Sequence, residues 1–286
     1  MRPLRISLLI VLTALGLSLA VPAVVLADQA EGHYRMGLDH KRKGNLTAAV
    51  NEVRKAVKLR PSHAAAWMTL GGLERKLGNL QGALMAYEKA ISLTPKHAPA
   101  YALAGSTLIR LKRYEEAVGR LRKAIELDKR DAQSAANLGL ALRRTGKADE
   151  AIKAMEEAVR RKPDDTDLLN NLGVALSRQK RYEEAITHLE RAVELKPDDA
   201  GMHRNLAISL RGQERYKEAI PHYRKVLQKD KNNARVLFDL ANCYEKMGDN
   251  RNAIQTYERY VKAISAKDAK AAEEGRKRIE KLKAYL

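Results

Sequence analysis

Alanine recurs every 34 residues through most of this chain, at Ala49, Ala83, Ala117, Ala151, Ala185, Ala219 and Ala253. A period that long is the mark of a stacked repeat, because one short supersecondary unit cannot bury its own apolar face. Seven copies run from Ala30 to Lys267 without insertion, starting at Ala30, Ala64, Ala98, Ala132, Thr166, Ala200 and Ala234. With the copies aligned in columns 1 to 34, the alanine occupies column 20. Column 8 is Gly37, Gly71, Gly105, Gly139 and Gly173, then Ala207 and Ala241. Column 27 is small five times (Ala56, Ala90, Ala124, Ala158, Ala192) before Val226 and Tyr260. Column 32 is proline at Pro61, Pro95, Pro163 and Pro197.

Each copy reads as two helices. In the fifth, Leu169, Leu172, Gly173 and Leu176 fall at helical steps, as do Ala185, Ile186, Leu189, Ala192 and Val193. Lys180-Arg181 must turn the chain between them. Small residues at columns 8 and 20 let the two helices approach closely; a larger side chain there would overpack, at about 1–3 kcal/mol. Proline disfavours helix just before it and so ends the second helix.

The chain resembles the tetratricopeptide repeat family, most plainly through Trp67, Leu70, Gly71, Ala83, Tyr87, Ala90 and Pro95 of the second copy. The resemblance implies an all-α, right-handed α-α superhelix of seven helix-turn-helix repeats over residues 30–267. It also implies protein binding without a fixed partner, since this fold serves many. Lys129, Lys231 and Ser265 depart from the pattern by replacing the proline. His40 and Glu74 stand where the family usually has a large apolar residue, and Tyr260 is bulky at a small column. Residues 268–286 read as a capping helix, with Ala272, Ile279, Leu282 and Leu286 along one side.

Residues 1–27 are of another kind. Arg2 and Arg5 precede an uncharged run from Ile6 to Ala27 that ends in Val25-Leu26-Ala27. This is the layout of a secretory signal peptide cut after Ala27, which makes the chain periplasmic or secreted. The alternative is an uncleaved anchor over residues 6–27, with the repeats outside the cytoplasm. The chain carries a formal net charge of +19, and loss of Arg2 and Arg5 leaves it strongly basic. Such a charge suits acidic proteins or anionic polymers. Export and the lack of an RNA-binding motif argue against nucleic acid.

No catalytic constellation is legible. The seven histidines make no metal pair at i, i+4, no glycine-rich phosphate loop occurs, and Cys243 is alone. Carboxylates such as Glu183-Glu184 sit at second-helix starts, where they favour the helix dipole. The chain is therefore expected to be non-enzymatic, with no cofactor and no metal. Cys243 reads as a buried small hydrophobe.

The candidate site lies on the first helices. In the resembled family these helices line the concave groove. Column 6 is Asn137, Asn171 and Asn205 in three successive repeats. A side-chain amide offers donors and acceptors together, which suits an extended peptide backbone. The superhelical repeats of O-linked N-acetylglucosamine transferase resemble this chain in such a ladder alone. Spaced as packed helices are, the rungs would meet an extended peptide about every third residue. Columns 12 and 13 supply Arg110, Arg143, Arg144, Arg178 and Arg211, suited to bidentate capture of carboxylates. Between the two rows, column 9 gives Leu140, Val174 and Ile208. The family variant that clamps a chaperone's terminal carboxylate needs a cation followed four residues later by asparagine; Arg204 is followed by Ile208. The expected ligand is thus a protein or extended acidic peptide. The alternative is an anionic envelope polymer or lipid head group.

N-terminal sequencing of the protein from its native envelope tests the first of these expectations. The expected mature terminus is Asp28; Met1 retained in the membrane fraction would decide for an anchor.

Overall fold

The 34-residue period reappears in the helix boundaries. The computed structural model describes residues 23–286, and among the described residues there are fifteen α-helices and no strand. The first helices are α1 (Ala23–Arg42), α3 (Ala64–Lys76), α5 (Ala98–Arg110), α7 (Ala132–Arg144), α9 (Thr166–Arg178), α11 (Ala200–Gly212) and α13 (Ala234–Lys246). The second helices are α2 (Leu46–Leu59), α4 (Leu80–Leu93), α6 (Tyr114–Leu127), α8 (Ala148–Arg161), α10 (Tyr182–Leu195), α12 (Tyr216–Lys229) and α14 (Asn250–Ile264). A last helix, α15 (Ala269–Lys283), follows. The architecture is the expected all-α series of helix-turn-helix pairs. Of the expected signal segment, residues 1–22 lie outside the described residues. No described helix is long and apolar enough to cross a membrane.

Packing divides the chain into two compact units, one ending at Arg113 and the other running from Tyr114 to Leu286. Within each unit every helix packs on its neighbours in sequence. In the first unit Ala49, Val50, Val53, Val57, Leu70 and Leu73 form an apolar core. In the second, one apolar cluster runs from Ile152 on α8 to Leu282 on α15.

The small columns are where helices touch. Ala49, Ala83, Ala185, Ala219 and Ala253 have no exposed surface. A Cβ added to Gly173 would lie 2.5 Å from Leu189 Cγ, one added to Gly139 2.6 Å from Met155 Cγ, and one added to Gly71 2.6 Å from the Tyr87 ring. Each of these neighbours occupies column 24 of the same repeat, and all three are buried. Leu189 alone, fully buried, contributes about 1.5–3 kcal/mol. Column 8 thus gives up a side chain so that column 24 can fill the gap between paired helices.

The turns share one construction. Column 15 has positive φ in all seven repeats: Gly44 (80°), Gly78 (84°), Lys112 (60°), Gly146 (81°), Lys180 (61°), Glu214 (61°) and Gly248 (75°). The next residue then donates its N–H back to the first helix. Lys147 bonds Leu142 O at 2.9 Å, Arg181 bonds Leu176 O at 3.0 Å and Arg215 bonds Leu210 O at 2.9 Å. This is a Schellman closure, for which a left-handed residue is required. Three repeats accept that conformation without glycine, at a cost of about 1 kcal/mol each.

Six of the seven second helices end at the same column with or without proline, and α14 runs one residue further, to Ile264. α4 and α10 stop at Leu93 and Leu195, two residues before Pro95 and Pro197. α6 and α12 stop at the matching Leu127 and Lys229, ahead of Lys129 and Lys231. Four first helices then start on a side-chain cap: Asp131, Asp165, Asp199 and Asn233 accept from the N–H of Ser134, Leu168, Met202 and Val236.

Two of the irregular positions, Glu74 and Tyr260, are accommodated, whereas the Nδ1 of His40 is buried without a hydrogen-bond partner among the described residues. Glu74 is buried but held by Arg54 at 2.5 Å and by the Asn79 amide at 2.9 Å. Tyr260 is buried beneath α15, where a Cβ on Gly275 would come within 3.1 Å of its ring. α15 buries Ala272, Gly275, Ile279 and Leu282. Leu286 is 71 % exposed and takes no part, because the helix has ended at Lys283. Arg278 lies over Phe238 at 5.3 Å and pairs with Glu245 at 3.0 Å, tying α15 to α13.

Two sets of variants test this account. Ala185→Leu and Gly173→Ala each destabilise by about 1–3 kcal/mol, whereas Gly119→Ala, whose Cβ meets nothing within 4 Å, stabilises α6 by about 0.5–1 kcal/mol. Equal midpoints in urea would show that the columns are misassigned. Separately, Lys180→Gly and Glu214→Gly raise stability by up to about 1 kcal/mol by relieving the left-handed turn; a fall in melting temperature for both would refute the strain.

Candidate functional site

Helical periodicity decides which side chains remain available. α9 turns Leu168, Leu169, Leu172, Gly173, Ala175 and Leu176 inward. Columns 2, 5, 6, 9, 12 and 13 are left at the surface: Asp167, Asn170, Asn171, Val174, Ser177 and Arg178. The matching faces of α7, α9 and α11 enclose two clefts.

The first cleft, about 390 Å³, lies between α7 and α9. Gln133, Asn137, Leu140 and Arg143 of α7 face Asp167, Asn170 and Asn171 of α9 across it. Gln133 Nε2 donates to Asn137 Oδ1 at 3.3 Å. Two of the predicted rungs, Asn137 and Asn171, are therefore brought to one cavity together with Arg143.

The second cleft, about 350 Å³, is lined by Val174, Ser177 and Arg178 of α9, Arg204, Asn205 and Ile208 of α11, and Arg235 of α13. Asn205 Nδ2 donates to Asn170 Oδ1 at 2.8 Å. That bond links the third rung to the neighbouring helix and leaves the Asn205 carbonyl oxygen available.

The arginines divide by what they face. Arg143 and Arg178 have no ion-pair partner among the described residues. Burial holds the Arg143 guanidinium below the ordinary arginine value, and repulsion from Arg178 and Arg144 adds to this. Asp165 and Asp167 also line this cavity, but neither forms an ion pair with Arg143. Arg211 is engaged within the protein: it donates to Tyr223 Oη at 3.3 Å and meets Asp239 Oδ1 at 3.4 Å. Burial raises the Asp239 carboxyl above its usual range, and Arg211, Arg235 and Arg204 oppose that rise. Arg144 is exposed and lies 6.0 Å over the Tyr114 ring. Arg110 belongs to the first unit, at the exposed end of α5.

Sequence reasoning missed Asn170, Arg204 and Arg235 as site residues. Column 5 carried a signal: it is Ala102 and Ala136 in two repeats, then becomes Asn170 and Arg204. The polar pair enters where the clefts form.

Other reactive groups are tied down. Cys243 has no exposed surface, and burial pushes its thiol up to about 12, so it remains a protonated hydrophobe. His203 and His222 share an Nδ1–Nδ1 hydrogen bond of 2.8 Å, and His203 Nε2 donates to Pro197 O at 2.9 Å. Among the described residues no three His, Cys, Asp or Glu side chains are grouped to hold a metal ion.

The chain is similar to known repeat proteins by both sequence and fold. The family profile described as the Cilia and flagella-associated protein 70 C-terminal domain matches residues 13–233, and the Tetratricopeptide repeat profile matches residues 210–274. No curated protein matches it by sequence. Among solved structures, MamA is 25% identical with a TM-score of 0.55, over 57% of this chain and 95% of that one. YrrB, described as a TPR protein with an unusual peptide-binding site, is 23% identical with a TM-score of 0.62, over 67% and 98%. PilF of Pseudomonas aeruginosa is 21% identical with a TM-score of 0.59, over 71% and 92%. With helical pairs at a 34-residue period and profile matches over well more than half its length, the chain belongs to the tetratricopeptide repeat family.

Proposed function

We propose that this protein is an exported, non-enzymatic scaffold that binds an extended acidic segment of a protein partner on the first-helix face of its second unit. One observation carries the reading. Two adjoining clefts present side-chain amides from Asn137, Asn171 and Asn205 beside the unpaired guanidiniums of Arg143 and Arg178. Amides satisfy the donors and acceptors of an extended backbone, and the arginines select for carboxylates. The description of YrrB as peptide-binding supports a peptide ligand for this fold. Export rests on the residue pattern of positions 1–27 and is the reason a cytoplasmic partner is set aside.

A second reading follows from the charge of +19: capture of an anionic envelope polymer or lipid head group. The two separate in their salt response and in competition. Polymer binding driven by charge alone collapses as salt screens it and is indifferent to peptide sequence.

A random linear-peptide library panned against the purified protein supplies ligands for the test. Asn137→Ala, Asn171→Ala and Asn205→Ala together lower affinity for the recovered peptides at least about tenfold, since each lost hydrogen bond costs about 0.5–1.5 kcal/mol. The helical signal stays unchanged. Fluorescence anisotropy that finds the triple variant binding as tightly as wild type would show these amides to be ordinary solvated surface.

A further inference from the structure

The second cleft is not uniformly basic. α9 and α11 are both first helices, separated by two reversals of the chain with α10 between them, so they run in the same direction. Arg178 stands at column 13 of α9, while Arg204 stands at column 5 of α11. Eight positions of helix correspond to about 12 Å. Val174 and Ile208, both at column 9, sit midway. Arg235 of α13 joins Arg204 at its end of the cleft lining. The cavity thus has a cationic pole at each end and an apolar centre.

Arg178, Arg204 and Arg235 have no ion-pair partner among the described residues, and no carboxylate lines the cleft. Asp239, the buried acid near Arg204 and Arg235, is paired with Arg211 at 3.4 Å. Three exposed guanidiniums thus surround one cavity of about 350 Å³, where a ligand of opposite charge would meet them. An anion such as a single phosphate reaches one pole and leaves the other unanswered.

An extended peptide sends residues i, i+2 and i+4 to the same side, and i to i+4 spans about 13 Å. That span matches the separation of the poles. We propose that the cleft between α9 and α11 recognises an extended segment of the pattern acidic-x-apolar-x-acidic, its carboxylates on Arg178 and on Arg204 with Arg235, its apolar side chain on Val174 and Ile208. The inference rests on the peptide-binding reading and adds to it a sequence pattern and a cleft, with the segment running along the helices here instead of across the three asparagine rungs.

The test uses the full chain and fluorescein-labelled 11-residue peptides with Gly-Ser flanks. The parent carries Glu-Ala-Leu-Ala-Glu. Three relatives carry Gln-Ala-Leu-Ala-Gln, Glu-Ala-Ser-Ala-Glu and the same-composition Glu-Glu-Leu-Ala-Ala. The parent binds, and each relative binds about tenfold or more weakly, as expected for loss of one apolar contact or of one or two charge-assisted contacts. Arg178→Gln removes the preference for glutamate at one end only, and Arg204→Gln with Arg235→Gln removes it at the other. Equal binding of the parent and the same-composition relative would overturn the pattern and leave charge alone. Displacement of the parent by millimolar inorganic phosphate, or no binding of the parent at all, would overturn it too. If panned peptides bind through the asparagines while the parent does not, the peptide-binding reading stands and this inference falls.

Discussion

Everything in this structure depends on how closely two helices of one repeat can approach. The contact is made by a side chain at column 24 lying against a bare backbone at column 8. Leu189 against Gly173 and Tyr87 against Gly71 show it directly. Alanine at column 20 completes the interface with no exposed surface in most repeats. Where column 8 becomes Ala207 and Ala241, column 24 is tyrosine, Tyr223 and Tyr257, each fully buried. Their hydroxyls are not stranded: Tyr223 accepts from Arg211 and Tyr257 donates to Glu245 at 2.7 Å. In these two repeats burial of the polar tip is matched by a partner from the first helix, which offsets the cost of leaving it unpaired.

That pairing has a consequence for the surface. Column 12 of the sixth repeat supplies Arg211, which is drawn into the network of Tyr223 and Asp239. Column 12 of the fourth repeat supplies Arg143, which faces a cleft because its repeat has Met155 at column 24 and no hydroxyl to answer. One column therefore has two roles, set by the residue across the helical pair. The same logic applies at the end of the chain. Glu245 replaces arginine at column 12 and receives Arg278 from α15, so the last pair is closed by an ion pair and by the stacking of Arg278 on Phe238.

The clefts that remain are lined by what the packing did not use. Their amides and guanidiniums lie on rigid helices, which holds them in place without a ligand and reduces the ordering cost of binding. The Asn170–Asn205 bond adds to this by linking two first helices at the mouth of the second cleft.

The sequence by itself determined the repeat length, the helical pairs, the small columns and the positions where helices end. These follow from local rules: helical periodicity, the steric need for small residues at a close approach, and turn chemistry within a few residues. Two of the second helices without a terminal proline, α6 and α12, stop at the expected column, and α14 stops one residue beyond it. The asparagine column was legible for the same reason. Which arginines are free was not. Arg211 and Arg143 share a column, and only the tertiary structure places Asp239 and Tyr223 beside the first and an open cleft beside the second. The Asn170–Asn205 bond, the fit of Tyr260 against Gly275, and the exposure of Leu286 were likewise decided in three dimensions. Each depends on the distance between atoms of different helices, which a repeat period does not specify.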